Sequence, residues 1–131
     1  AAGAGGVLVI LRMLSRAELE ALVDEALAQG LFVLLEAFDE ADLDVAQELV
    51  AARTAHRDLL LVGVNCRDLV TLEVVPGRLE ALAPRLPRDV ARVAESGVAT
   101  AADAARVAAA GYDLALVGSA LMTGDDPRTL A

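Results

Sequence analysis

Lysine is absent from this 131-residue sequence, whose basic charge rests on eleven arginines and one histidine against twenty Asp and Glu. The net charge of -9 and the lack of any basic cluster exclude a nucleic-acid surface, which must neutralise phosphates along a backbone. A small phosphate ligand is still open, because backbone N–H groups can hold one. Aromatic residues make up only 2% of a chain that is 56% apolar, so the core must be built from Ala, Val and Leu. No apolar run approaches the ~20 residues of a membrane span, and no signal-peptide pattern is present; no membrane partner is expected. The single cysteine, Cys66, has no intrachain partner, which fits a reducing, cytoplasmic setting. One histidine and one cysteine leave a metal site without ligands. The chain also lacks an initiator methionine: it opens Ala1-Ala2-Gly3-Ala4, which suggests an internal start.

What is present alternates between strand and helix patterns. The runs Val7–Leu11, Leu31–Leu35, Leu59–Val64, Val90–Ala94 and Leu114–Val117 are short and apolar, as strands buried on both faces of a parallel sheet are. Ser15-Arg16-Ala17-Glu18 reads as a capping box, followed by Leu19, Leu22, Val23 and Leu27 at helical spacing and a stop at Gly30. Asp39 caps a second helix through about Arg53, and Val75-Pro76-Gly77 opens a short one over Leu79–Leu82 that the Pro84/Pro87 pair ends. Thr100 starts an alanine-rich helix that stops near Gly111, and Asp126-Pro127 reads as one more helix start. Strands separated by helices predict right-handed βαβ crossovers and an α/β fold with a parallel sheet, in one domain spanning 1–131. A complete eight-stranded barrel takes ~250 residues, so five strands imply a small open sheet or half a barrel.

Polar residues gather just past these runs, where a parallel α/β enzyme places its ligand. Ser96-Gly97 and Gly118-Ser119 follow the last two strands and could offer converging N–H donors to a phosphate. Ordinary turn chemistry explains the same residues. Glu36 and Glu95 each end an apolar run at equivalent places in the repeat, where desolvation can tune a carboxylate for acid–base work; each could instead pair with an arginine. Asn65-Cys66-Arg67-Asp68 supplies an amide and a guanidinium able to grip a hydroxyl and an anion. Alternatively, Asn65 and Asp68 bond to nearby backbone and Arg67 sits in solvent. Cys66 is read as a small half-buried residue and His56 as a loop residue at the far end of the sheet, too distant to serve as its base.

The runs VLVIL, LLEAFDEADLD, VGVNCRDLVTLEV, VAESGV and LVGSALM resemble, in order, the C-terminal half of indole-3-glycerol-phosphate synthase. The resemblance covers nearly the whole chain. It implies a partial TIM (βα)8 barrel, strands 4 to 8, from an enzyme of tryptophan biosynthesis. That family, a lyase without a cofactor, closes the ring of a carboxyphenylaminodeoxyribulose phosphate and expels carbon dioxide and water. Position by position, it implies that Glu36, Asn65 and Glu95 are catalytic. Arg67 would lie near the phosphorylated substrate, and Ser96, Gly97, Gly118 and Ser119 would hold its phosphate. The family's general acid is a lysine on an earlier strand, and this chain has none. An isolated chain of this kind is expected to be nearly inactive, and to associate with itself or with a missing N-terminal half.

Overall fold

The computed structural model describes residues 2–123 and 128. Five strands, β1 (Gly6–Ile10), β2 (Phe32–Ala37), β3 (Leu60–Asn65), β4 (Ala91–Glu95) and β5 (Leu114–Leu116), form one sheet in sequential order. Every neighbouring pair is parallel. Between them run α1 (Arg16–Ala28), α2 (Glu40–Ala51), α3 (Arg78–Leu82) and α4 (Ala101–Ala110), and α5 (Ser119–Thr123) follows β5. A doubly wound sheet reverses its strand order at a switch point; this one does not. Right-handed crossovers in one direction stack every helix on the same face, so the sheet is a parallel (βα) repeat of the kind that forms part of a TIM barrel.

Side-chain alternation separates the two faces. Val9, Val33, Leu35, Val62, Val64 and Ala94 point to the helical side and share one core with Leu19, Val23, Leu43, Leu49 and Val107 of the helices. The opposite, inner face carries Leu8, Phe32, Leu114 and Leu116, all about half-exposed. No helix among the described residues is long and apolar enough to cross a membrane.

The helices begin where their caps dictate. Ser15 Oγ accepts from Glu18 N–H while Glu18 accepts from Ser15 N–H, and Thr100 and Asp103 repeat that reciprocal arrangement. Asp39 accepts from Asp42 N–H at the head of α2, and Gly111 closes α4 in the left-handed region at φ 106°. The Asp42 carboxylate in turn accepts from Phe38 N–H at 2.8 Å and from Arg12 Nε and Nη2 at 3.0 and 2.8 Å. The Arg12 guanidinium also lies over the Phe38 ring, 4.7 Å from its centroid. One buried carboxylate thus ties the turn after β1 to the turn after β2.

Several boundaries differ from the sequence reading. β2, β3 and β4 run one or two residues further, because ladder pairing continues through Glu36, Asn65 and Glu95; these three belong to the sheet rather than to turns beyond it. Leu11 leaves the first strand for a 3₁₀ turn over Leu11–Met13. His56 sits in a 3₁₀ stretch, Thr54–Leu59, rather than a loop, although at the amino end of β3 as expected. The sequence assigned no helix at Ser119–Thr123, and the start at Asp126-Pro127 lies outside the described residues.

Candidate functional site

The carboxyl ends of β2, β3 and β4 bring the polar candidates together. Register pairs Glu36 with Gly63 and Asn65 with Glu95, so all four residues occupy the inner face at neighbouring positions. Asn65 Nδ2 donates to Glu36 Oε1 at 2.8 Å, while Asn65 Oδ1 accepts from Arg67 N–H at 2.9 Å. The amide thus bridges a strand-borne carboxylate to the following loop. Glu36 and Glu95 are 4% and 3% exposed, which makes them, with Asp42, the buried charged or polar side chains of the described chain.

Two carboxyls share this desolvated corner, and they cannot both ionise cheaply. Burial first, then the charge of Glu36 and hydrogen bonding with it, push the Glu95 carboxyl from an ordinary 4.5 up to about 8. Glu95 therefore holds its proton at neutral pH. Among the described residues, its Oε1 is buried without a hydrogen-bond partner. An unpaired buried polar atom on a residue that also lines a cleft marks a candidate functional site.

In front of the carboxyls opens a cleft of about 650 Å³, lined by Asn65, Arg67, Glu95, Ser96, Gly97, Gly118 and Ser119 together with apolar neighbours. All the candidates except Glu36 reach this cleft; Glu36 stands behind it, joined through Asn65. Ser96 and Gly97 are consecutive left-handed residues, at φ 65° and 71°. For a serine that conformation costs about 1–3 kcal/mol and must be enforced by its surroundings. At Gly97 only glycine fits, since an added Cβ would meet Cys66 Sγ at 2.6 Å. Cys66 is fully packed beneath this turn, more buried than the half-buried residue expected, and burial pushes its thiol up, away from nucleophilic use.

The loop after β3 is held by the local bonds expected of Asn65 and Asp68, but Arg67 does not sit in solvent. Asp68 Oδ1 accepts from the N–H groups of Val70 and Thr71, which holds its carboxyl below the usual range, and the loop closes on itself through Asp68 N–H to Glu73 O. Arg67 is half-buried at the cleft wall rather than in solvent. It donates to the Leu72 carbonyl and, among the described residues, has no carboxylate within ion-pair distance. No group of three or more potential metal ligands occurs among the described residues.

The residue that the sequence reading missed is Gly63. Its signal was present: an isolated glycine inside the strand run LLLVGV marks a close approach of something to the backbone. Here that approach is made by the Glu95 carboxyl.

Comparison with known proteins agrees with the parallel (βα) fold. A chain of the BexX/CysO complex from Amycolatopsis orientalis superposes with a TM-score of 0.58 over 88% of this chain and 45% of its own length, at 19% identity, a likeness of fold alone. An indole-3-glycerol phosphate synthase from Opitutus terrae is 43% identical across 98% of this chain and 46% of its own length. Indole-3-glycerol phosphate synthase 1 of Streptomyces coelicolor is 40% identical across 97% and 44%. The chain spans about half the length of the curated relatives it matches. The indole-3-glycerol phosphate synthase family model matches residues 1–131, and with the strand order and inner-face carboxylates already described, the chain belongs to the indole-3-glycerol phosphate synthase family.

Proposed function

We propose that this chain supplies the strand 4 to 8 share of an indole-3-glycerol-phosphate synthase active site, acting in the cytoplasm on carboxyphenylaminodeoxyribulose phosphate. The observation that carries this reading is a cleft lined by Asn65, Glu95, Ser96-Gly97 and Gly118-Ser119, with Glu36 hydrogen-bonded to Asn65 behind it. Ring closure needs a proton delivered to the ketone oxygen as the new carbon–carbon bond forms. Loss of carbon dioxide restores the aromatic ring, and the hydroxyl then leaves as water. A carboxyl that keeps its proton at neutral pH, beside one that can carry charge, suits steps that both give and take protons and build positive charge on the ring nitrogen. In this reading Glu95 is the proton-holding member, Glu36 the electrostatic and basic one, and Asn65 fixes the orientation of Glu36. Arg67 and the Ser/Gly turns hold the substrate's anionic groups.

The sequence has no lysine, and an arginine cannot take over as acid because it keeps its proton at working pH. Full activity accordingly belongs to a protein that also carries the earlier strands, and these residues alone should turn over very little. In such a complete protein, Glu36→Gln should lower kcat by about 10²–10⁴ while changing KM much less, read by formation of indole-3-glycerol phosphate. An unchanged kcat would remove Glu36 from the mechanism. The absent lysine also favours a second reading, an inactive half-barrel that binds phosphate or serves assembly. Phosphate binding without turnover in the complete protein would select it.

A further inference from the structure

Gly63 lies on β3 between the two carboxyls, directly opposite Glu36 in register and diagonal to Glu95. A Cβ built there would stand 1.9 Å from Glu95 Oε1, 2.9 Å from its Cδ and 3.2 Å from Leu34 Cδ1. The side chain of Glu95 thus occupies the volume that any other residue at position 63 would claim. We propose that Gly63 is a positioning residue: its missing side chain is the notch that draws the Glu95 carboxyl across β3 against Glu36 instead of letting it swing out into the cleft. This rests on the reading of Glu36 and Glu95 as the acid–base pair, and it adds the element that makes them a pair.

The groups around the notch leave few other influences on Glu95. β3 contributes Gly63 and the neutral Asn65, β5 places Leu116 opposite, and β2 contributes Glu36, the one titratable neighbour on the face among the described residues. Arg67 lines the same cleft as Glu95. Because the clash falls on the end of a flexible side chain rather than on backbone, Gly63→Ala can be absorbed by rotating Glu95 outward, with the sheet intact. Once outside, the carboxyl regains water, loses its charged neighbour and returns to the ordinary carboxylate range.

The test is a carboxyl-carbon NMR titration of Glu95 in the full chain, with Glu95→Gln used to assign the signal. The parent should titrate well above the ordinary range, and Gly63→Ala should move that midpoint down by at least two pH units with an unchanged circular dichroism spectrum. A folded Gly63→Ala chain with an unmoved midpoint overturns the proposal. Should Gly63→Ala not fold, Glu36→Gln decides: the notch requires that removing the Glu36 charge lower the Glu95 midpoint, and no change sinks it. None of these readings needs turnover. A shifted midpoint in a complete protein that makes no indole-3-glycerol phosphate would reject the synthase reading and keep the notch.

Discussion

A buried carboxyl that keeps its proton leaves a mark on stability whose sign can be worked out. In the fold Glu95 titrates near 8, and in the unfolded chain near 4.5. Below 4.5 both states carry the proton and the group has no pH-dependent effect. Between 4.5 and 8 only the unfolded chain ionises, so stability falls as pH rises, and above 8 the loss is complete. Glu95→Gln removes the ionisation and keeps the shape. The variant should match or slightly trail the parent at pH 4 and exceed it by more than about 1 kcal/mol at pH 8.5, since one pKa unit is worth about 1.4 kcal/mol. Urea unfolding at the two pH values measures this. Parallel stability curves for parent and variant would mean that Glu95 is solvated in the fold. The same burial that makes the residue useful as an acid makes it costly, which is a reason to look for function at this point of the sheet.

At the scale of elements, the turn after β2 must hold Glu36 at its place two residues upstream of Phe38. Asp42 does this by taking Phe38 N–H and two donors of Arg12 at once. Asp42→Ala strands a buried N–H and releases the guanidinium, so a loss of about 2–3 kcal/mol is expected, measured by the same urea transition; a loss under about 0.5 kcal/mol would show that water replaces the carboxylate freely. This link was not legible in the sequence, where Asp39 reads as the cap of a helix and nothing local points from Asp42 to Arg12. Thirty residues separate Arg12 from Asp42, and only the sheet brings them together. Elements themselves were legible, because capping boxes at Ser15 and Thr100 and unbroken apolar runs are local signals. So were Glu36, Asn65 and Glu95, since polar residues at strand ends stand out against Val and Leu. Their meeting was not, because it depends on register: a shift of one residue between β2 and β3 would put Glu36 on the helical face. Nor was the notch, since a glycine in a strand signals close approach without saying by what.

For the whole molecule, the balance of its two faces decides behaviour in solution. The helical face is closed by a continuous core, while Leu8, Phe32, Leu114 and Leu116 stay half-exposed on the inner face. β1 and β5 each have one strand neighbour in the sheet as described, leaving a row of backbone donors and acceptors at either side. An apolar face flanked by two open edges is completed most directly by more βα strands, from the rest of a longer polypeptide or from a second copy. Expressed alone, the 131 residues should therefore sediment as species heavier than 13.5 kDa. Leu8→Asp combined with Leu114→Asp should shift the distribution toward monomer, because a charge on the inner face cannot be buried without a partner. The helical core contains neither position, so the double variant should keep the helical content of the parent. A parent that sediments as a single 13.5 kDa species would show that the inner face tolerates water as it stands. The expectation of self-association would then fall, while the reading of the cleft would be untouched, since Asn65, Arg67 and Glu95 line it from β3, β4 and the loop between them.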